Sequence, residues 1–165
     1  MLLPLTNRLI RTSHFDAEMA MLADRHYSRR TIGARQFLYS GRKLVLRNTE
    51  GSILFGWIYP DPAMRMDGQR GYNCAIFHNE SGRKASEILL EAEQAAFEKW
   101  GPNRLYTYID PAKTRTIKRR GKRIVGFSYR MAGWKPLVTK DGKQRVSKAG
   151  QWLFVKLNRT RGQHG

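Results

Sequence analysis

A strand, a helix and a second strand in the middle of the chain constrain its fold more than any other feature. The run 72–77 is apolar enough for a central strand. After a polar loop, Ser86 stands where an N-cap is expected, and the helix that follows ends at Gly101 and Pro102. Residues 105–110 then form the pattern of another strand. This order predicts an α/β domain in which the helix packs on a sheet.

The helix of this unit is amphipathic, which predicts that one of its faces is buried. Its apolar face consists of Leu89, Ala92, Ala96 and Trp100. Its polar face consists of Glu87, Glu91, Gln94 and Glu98.

An earlier helix is predicted over residues 14–26. Ser13 is followed three residues later by Asp16, an acidic variant of the capping box. Phe15, Met19, Leu22 and His26 would then share one apolar stripe.

The remaining elements read as strands of a central mixed, mostly antiparallel sheet. Turn signals at residues 40–41 and 48–51 separate the first of them and predict a meander. The expected strands are residues 36–39, 44–47, 53–59, 127–129 and 151–157. The basic segment between the last strand of the central unit and residue 127 is expected to be helix or loop.

Charge is distributed unevenly along the chain. The 165 residues contain 31 Lys and Arg against 13 Asp and Glu, a net charge of +18. Residues 101–165 contain 17 basic and only 2 acidic side chains. A net charge of +18 predicts a polyanionic partner.

A length of 165 residues fits one domain. We assign this domain to residues 1–157 and a flexible basic tail to residues 158–165.

Several classes of protein are not favoured. The single Cys74 excludes an internal disulfide and a cysteine-cluster zinc site, and its apolar neighbours predict burial. The four histidines show no metal-ligand spacing, so no metal site is expected. No apolar run is long enough for a membrane span or a signal peptide, so we expect no membrane partner and a cytoplasmic location.

The segment 113–123 has seven basic residues in eleven and no acidic one. Charged faces of ordinary solvated segments usually mix the two signs, so this segment favours phosphate binding. Lys140, Lys143, Arg145 and Lys148 would extend the same track. The residues expected to bind nucleic acid are Arg29, Lys113, Arg115, Lys118, Arg119, Arg120, Lys122 and Arg123.

The order of elements resembles the GCN5-related N-acyltransferase (GNAT) fold. In that fold, the loop before the central helix offers N–H groups to the pyrophosphate of the donor. The matching loop residues here are Asn79, Glu80, Ser81, Gly82 and Arg83. The usual loop signature is Arg/Gln-x-x-Gly-x-Gly/Ala, whereas this loop has one glycine and an acidic residue. The donor expected from the resemblance is an acyl-CoA, or else a glycine-derived or aminoacyl compound.

Five short motifs in this order resemble the phage Mom-type DNA modification proteins. They are His26-Tyr27-Ser28-Arg29, residues 74–80, the Ser86 helix with Glu91-Ala92, Tyr108-Ile109-Asp110-Pro111 and residues 126–134. The resemblance implies an enzyme that adds a carbamoylmethyl (glycinamide-like) group to the N6 amine of adenine in phage DNA. The modified double-stranded DNA would resist host restriction, and the enzyme would act in the host cytoplasm.

The same resemblance assigns catalytic roles to His26, Tyr27, Asp110 and Ser86. His26 and Tyr27 would lie beside the reacting amine, and Asp110, at the end of a strand, would act as base or accept the N6–H. From the residues alone, the favoured interpretation of His26 is a core histidine bonded to a backbone carbonyl, and Asp110 is equally a turn aspartate. Ser86 is expected to cap its helix, a role compatible with donor binding.

Three further expectations follow from local pattern. Tyr106 and Tyr108 should share one face of their strand, and Trp134 should pack in the core. The donor loop is alternatively a plain solvated turn.

Two other functions stay open. One is a nucleic-acid-binding module without catalysis, which the divergent donor loop favours. The other is an N-acyltransferase that acts on RNA or on protein amines, although a net charge of +15 beyond residue 100 would repel a basic protein.

Overall fold

The strand, helix and strand of the central unit form as predicted. A computed structural model of the chain describes residues 8–26, 32–39, 41–61, 68–114 and 117–157. Within these residues β4 (Tyr72–Asn79), α2 (Ala85–Trp100) and β5 (Leu105–Ile109) follow one another. The tail at 158–165 lies outside the described residues, so its separation from the domain stays a prediction.

The other elements extend the sheet on both sides of this unit. They are β1 (Ile10–Thr12), α1 (Ala17–Asp24), β2 (Arg42–Arg47), β3 (Ile53–Tyr59), β6 (Ile117–Arg119), β7 (Lys122–Ile124), α3 (Phe127–Met131), β8 (Lys135–Pro136) and β9 (Trp152–Lys156). In the described part of the chain, seven strands pair in the order β1-β2-β3-β4-β5-β9-β8. All neighbours are antiparallel except β4 and β5, and β6 and β7 form a separate hairpin. The prediction of a single α/β domain with a mixed, mostly antiparallel sheet is confirmed.

Helices cover both faces of the sheet. On one face, Leu89, Ala92 and Ala96 of α2 are fully buried in a core that also contains Trp134. On the other face, Met19 and Leu22 of α1 are buried against β2, β3 and β4. Helix α2 therefore buries the face that its sequence pattern predicted, and Trp134 packs in the core as expected.

A buried carboxylate on α2 was not predicted. Glu93 is only 4% exposed, and it accepts hydrogen bonds from Trp134 Nε1 at 3.1 Å and Lys156 Nζ at 2.7 Å. A buried charge is tolerated when a cation and a second donor satisfy it. Glu93 therefore ties α2 to β9 and to the turn after α3.

Helix α1 begins later than predicted because Asp16, not Ser13, caps it. Asp16 Oδ1 accepts the Met19 N–H at 3.1 Å, and its Oδ2 accepts from Thr12 at 2.7 Å and from Arg47 at 3.0 Å. These bonds hold the pKa of Asp16 below its usual value although burial acts in the opposite direction. Phe15 consequently lies outside the helix and is 42% exposed.

Two of the predicted strands are wrong. Residues 36–39 form no ladder, and Leu38 instead packs over Gly56 of β3, where a Cβ would lie 2.9 Å from the Leu38 side chain. Residues 127–129 belong to α3. This helix begins after Gly126, whose backbone is in the left-handed conformation. Val125, Tyr129 and Ala132 all contact the core, and their spacing of four and three is helical.

Three smaller expectations have clear outcomes. Lys84 is the N-cap of α2 and makes no side-chain cap bond, so the prediction that Ser86 caps this helix is wrong. Cys74 is buried, as predicted. Tyr106 and Tyr108 share one face of β5, with ring centroids 6.1 Å apart.

No helix among the described residues is both long enough and apolar enough to cross a bilayer.

The cap at Asp16 gives a stability prediction. Asp16→Ala should lower the free energy of unfolding by about 1–2 kcal/mol, because it removes the bond to the Met19 N–H and one of the two carboxylates that pair with Arg47. Urea unfolding followed by circular dichroism measures this change. Ser13→Ala, at the position that the sequence favoured, is the matched control and should cost less than about 0.5 kcal/mol. Equal losses in the two variants would contradict the assignment of the cap.

Candidate functional site

The site begins where β4 and β5 separate. Their parallel ladder contains only the pairs Tyr72 with Leu105 and Asn73 with Tyr106. Beyond it, Thr107 Oγ1 donates a hydrogen bond to the Cys74 carbonyl at 2.8 Å. The Thr107 side chain therefore binds a β4 carbonyl that a backbone N–H of β5 would bind in a regular ladder.

A bulge in β4, in its pairing with β3, enlarges the separation between β4 and β5. Gly56 pairs with Ile76 and Trp57 pairs with Cys74, which leaves Ala75 as an extra residue in β4. Bulges of this kind bend a strand and change the direction of its side chains. The bulge and the short ladder together separate β4 from β5 toward their carboxyl ends.

A cavity of about 940 Å³ occupies the resulting gap. Its walls are β4, β5, residues 34–39, the turn after β5 and the start of α3. The space between the carboxyl ends of neighbouring parallel strands is a common ligand site in α/β folds. His26 and Asp110, two of the predicted catalytic residues, both line it.

His26 lies just beyond the end of α1 and is held in its neutral form. Burial and the neighbouring His78 lower its pKa to about 4, and a hydrogen bond with the Phe77 backbone opposes this shift only in part. The two imidazole rings are 5.6 Å apart, edge to face. The backbone bond matches the core-histidine interpretation, and the position in the cavity wall matches the catalytic one.

Glu80 neutralises positive charge beside this histidine pair. It receives two hydrogen bonds from Arg25, at 2.8 and 3.1 Å, and lies 2.5 Å from His78 Nε2. The Arg25 bonds and the His78 bond lower the pKa of Glu80 to about 2. Glu80 is therefore an ionised structural partner of α1 and β4, which explains why an acidic residue lies in this loop.

The predicted donor loop is closed by its own hydrogen bonds. Asn79 Oδ1 accepts from the Ser81 N–H and hydroxyl, and Ser81 Oγ accepts from the Arg83 N–H at 3.0 Å. The Glu80 N–H bonds the Ser52 carbonyl, and the Arg83 side chain pairs with Glu91. Of the five predicted loop residues, including Gly82, Asn79 lines the cavity.

Asp110 is a turn residue that also lies in the cavity wall, so its catalytic role stays a prediction. Its Oδ1 accepts the Ala112 N–H at 2.9 Å and its carbonyl accepts the Thr114 N–H at 2.9 Å, as in a turn. It also lies in the cavity wall, directly after β5.

The other predicted catalytic and binding residues are placed as follows. Ser86 is 8% exposed inside the first turn of α2, and Ala85 rather than Ser86 lines the cavity. Tyr27, Arg29 and Arg115 lie outside the described residues. Lys113 lines the cavity. The catalytic role of Ser86 stays a prediction.

Residues that the sequence analysis did not select also line the cavity. Tyr129 on α3 lies there with its hydroxyl 3.4 Å from Cys74 Sγ. Burial raises the pKa of the Cys74 thiol to about 12, so this sulfur is protonated at neutral pH. A strand at residues 127–129 gave no reason to expect Tyr129 in the cavity wall, because it is helix α3 that directs this side chain there.

Asn73 is the second residue that the sequence analysis missed. It is 6% exposed, lies at the last rung of the β4–β5 ladder and lines the cavity. Its Nδ2 donates to the Tyr39 hydroxyl, whereas its buried Oδ1 has no hydrogen-bond partner among the described residues. Buried polar atoms without partners are rare and call for an explanation.

The basic segment forms a hairpin at the rim of this cavity, not the expected helix or loop. Its turn is Arg120-Gly121, both in left-handed conformation with φ of 52° and 75°, as a two-residue turn requires. Ile117 pairs with Ile124 at the base of the hairpin, and Ile117 also lines the cavity. The hairpin therefore continues directly from the cavity wall into solvent.

The two strands of the hairpin place like charges opposite each other. Lys118 pairs with Arg123, and Arg119 pairs with Lys122, and all four are exposed. Neither Lys118 nor Lys122 has an ion-pair partner in the parts of the chain that the structure describes. Like charges in direct opposition destabilise a hairpin. An anionic ligand would remove this repulsion.

A second exposed basic region lies on residues 137–148. Lys140, Lys143, Arg145 and Lys148 are all exposed there. Arg145 and Lys148 border a smaller cavity of about 360 Å³ that shares Tyr108 with the larger one. Within the described ranges, no group of three or more His, Cys, Asp and Glu side chains is arranged to hold a metal ion.

The low pKa of His26 predicts how stability depends on pH. The unfolded state binds a proton near pH 6.5 and the folded state only near pH 4, so stability is full above 6.5 and falls as pH drops toward 4. The loss at pH 4 relative to pH 7 should reach up to about 3 kcal/mol. His26→Gln should remove this part of the pH dependence in denaturant titrations. An NMR titration that placed the His26 midpoint near 6.5 would contradict the assignment.

No protein-family model matches this chain, and no curated protein and no solved structure shows significant similarity to it.

Proposed function

We propose that this protein is an enzyme that modifies the N6 amine of adenine in double-stranded DNA, with a GNAT-like architecture. The observation that carries the proposal is the cavity between the diverging strands β4 and β5, which has His26 and Asp110 in its wall and a cationic hairpin at its rim. The hairpin would bind phosphates while the cavity takes a base out of the stack.

The order of elements supports the architecture. A meander leads into β4, and α2 connects β4 to the parallel strand β5, against which β9 pairs antiparallel. The resemblance to the Mom-type proteins gives the group transferred as carbamoylmethyl, and the modified DNA would resist host restriction.

The size and polarity of the cavity support a nucleobase as occupant. A volume of about 940 Å³ lies in the range of small-molecule sites, which leaves room for a donor beside the base. Asn73, Gln36 and Asp110 supply polar groups in a wall that also contains Phe37 and Phe127. Extruding a base costs a few kcal/mol, which phosphate contacts of the hairpin would offset.

The transfer step has a simple balance. The N6 nitrogen forms a bond to the carbon of the transferred group, and the bond from that carbon to the leaving atom of the donor breaks, with its electron pair going to the leaving atom. The N6 proton passes to His26 or Asp110. An exocyclic amine is a weak nucleophile, so proton removal and tight positioning both contribute. His26 enters this step neutral because its pKa is about 4.

One observation favours a second function, a nucleic-acid-binding module without catalysis. The Ser81 and Arg83 N–H groups are bonded within the loop, so they are not aimed at a pyrophosphate. A donor without a pyrophosphate, such as a glycine-derived or aminoacyl compound, would need no such cradle. An acyl-CoA donor would need the loop to open.

The chemistry is tested by nucleoside analysis. Plasmid DNA from cells that express the protein should yield a deoxyadenosine heavier by the transferred group when digested and analysed by mass spectrometry. His26→Gln and Asp110→Asn should each lower its yield at least tenfold, because each removes a proton acceptor from the cavity. Total RNA and protein from the same cells are digested in parallel to test the alternative substrates. Unmodified adenine despite folded, DNA-binding protein would overturn the proposal and support the binding module.

The hairpin makes a prediction that separates binding from folding. Lys118→Gln combined with Lys122→Gln removes one charge from each like-charged pair, so the free energy of unfolding should stay equal or rise. DNA binding should weaken, and the slope of log K against log salt should fall by about 2.

The matched control is Arg11→Gln combined with Lys99→Gln. Arg11 lies on β1 at the far edge of the sheet, Lys99 lies at the end of α2, and both are exposed. This pair carries the same change in net charge and should leave the slope unchanged. Equal loss of slope in the two double variants would show that net charge, rather than the hairpin, drives binding.

A further inference from the structure

The buried amide of Asn73 lies where β4 and β5 diverge. It lies at the last rung of the β4–β5 ladder, so it stands where the two strands begin to part and the cavity begins. Asn73 is 6% exposed. Its backbone pairs with Ile58 of β3 on one side and with Tyr106 of β5 on the other. The position of the amide is therefore fixed by the sheet.

Only half of this amide is satisfied. The Nδ2 group donates to the Tyr39 hydroxyl, while Oδ1 is buried and has no hydrogen-bond partner in the described ranges. A buried carbonyl without a hydrogen-bond partner lowers the stability of the fold, and an apolar residue of similar shape would avoid that loss. The orphan oxygen is thus better explained by a ligand than by stability.

Other amides of the same fold do not share this property. Asn48 is fully buried, and its Oδ1 accepts the N–H groups of Ser52 and Ile53. Asn79 also lines the cavity, and its Oδ1 accepts from Ser81. Among these three asparagines, Asn73 is the one that lines the cavity with an unused acceptor.

We infer that Asn73 Oδ1 selects the base in the cavity by accepting a hydrogen bond from an exocyclic amine. Nδ2 already donates to Tyr39, so Oδ1 is the polar atom of this amide that has no partner among the described residues and can accept from an occupant of the cavity. An acceptor that faces the 6-position of a purine binds the amine of adenine and repels the keto oxygen that guanine and hypoxanthine have there. Asn73 is then a specificity-determining residue of the proposed site.

This inference rests on the proposed function, because it takes the occupant of the cavity to be a base. It is also consistent with the transfer step. The N6 amine of adenine carries two hydrogens, so one N–H can bind Asn73 Oδ1 while the other loses its proton as the new bond forms. The hydrogen bond would orient the amine without consuming the proton acceptor.

The inference is tested by binding, with no donor present. The probes are two DNA duplexes of the same sequence, each with one purine opposite an abasic site, where extrusion is least costly. That purine is adenine in one duplex and hypoxanthine, which has a keto oxygen in place of the amine, in the other. The wild-type protein should bind the adenine duplex about tenfold more tightly.

Two substitutions at Asn73 separate selection from folding. Asn73→Leu should abolish the preference, with the unfolding temperature unchanged or higher because the buried orphan oxygen is gone. Asn73→Asp keeps an acceptor at the same place and should retain the preference for adenine. Asn103→Leu, the same change at an asparagine outside the cavity wall, should also retain it.

Each outcome has a defined meaning. Equal binding of the two duplexes by the wild type, a preference for hypoxanthine, or a preference that survives Asn73→Leu would each overturn the inference. A lower unfolding temperature for Asn73→Leu with no change in preference would assign Asn73 a structural role. Modified deoxyadenosine in the nucleoside assay together with equal binding would overturn this inference alone, and leave the proposed function standing.

Discussion

The separation of β4 from β5 is the constraint on which the rest of the site depends. Two ladder pairs hold the strands together at one end, and the Ala75 bulge together with the Thr107 bond to the Cys74 carbonyl replaces regular pairing beyond them. Because α2 connects the two strands, their carboxyl ends must lie on the same side. Asn79 at the end of β4 and Asp110 directly after β5 therefore border the same cavity.

The site combines a neutral histidine in the cavity wall with a cationic hairpin at the rim. Inside, the low pKa of His26 keeps the imidazole neutral. Beside it, outside the cavity wall, the ionised Glu80 pairs with Arg25. At the rim, β6 and β7 place like charges opposite each other, at a cost in stability that an anionic ligand would relieve. A neutral base in the interior and phosphates at the rim fit this arrangement.

The sequence predicted the central unit well because long periodic segments carry strong signals. Residues 85–100 and 53–59 formed the elements that their patterns indicated. His26 and Asp110 line one cavity, and their catalytic roles stay predictions. Short segments were ambiguous. The alternation in 127–129 suggested a strand, although Val125 and Ala132 complete a helical spacing around Tyr129.

Long-range pairing explains the other differences. The cap at Asp16 depends on Arg47, thirty-one residues away, and the buried state of Glu93 depends on Lys156. Nothing local to Asn73 marks it, since its importance comes from the point at which β4 leaves β5. The basic segment lacked an apolar pattern, so its hairpin could not be read from periodicity.

Photo-cross-linking tests the central claim most directly. A DNA duplex with one photoreactive adenine analogue is irradiated with the protein, and the linked peptide is identified by mass spectrometry. The account predicts linkage within the cavity wall, on residues 73–79, 107–110 or 126–129, while the hairpin contacts the backbone. Linkage confined to the hairpin at residues 117–124, with no product in the cavity wall, would contradict it.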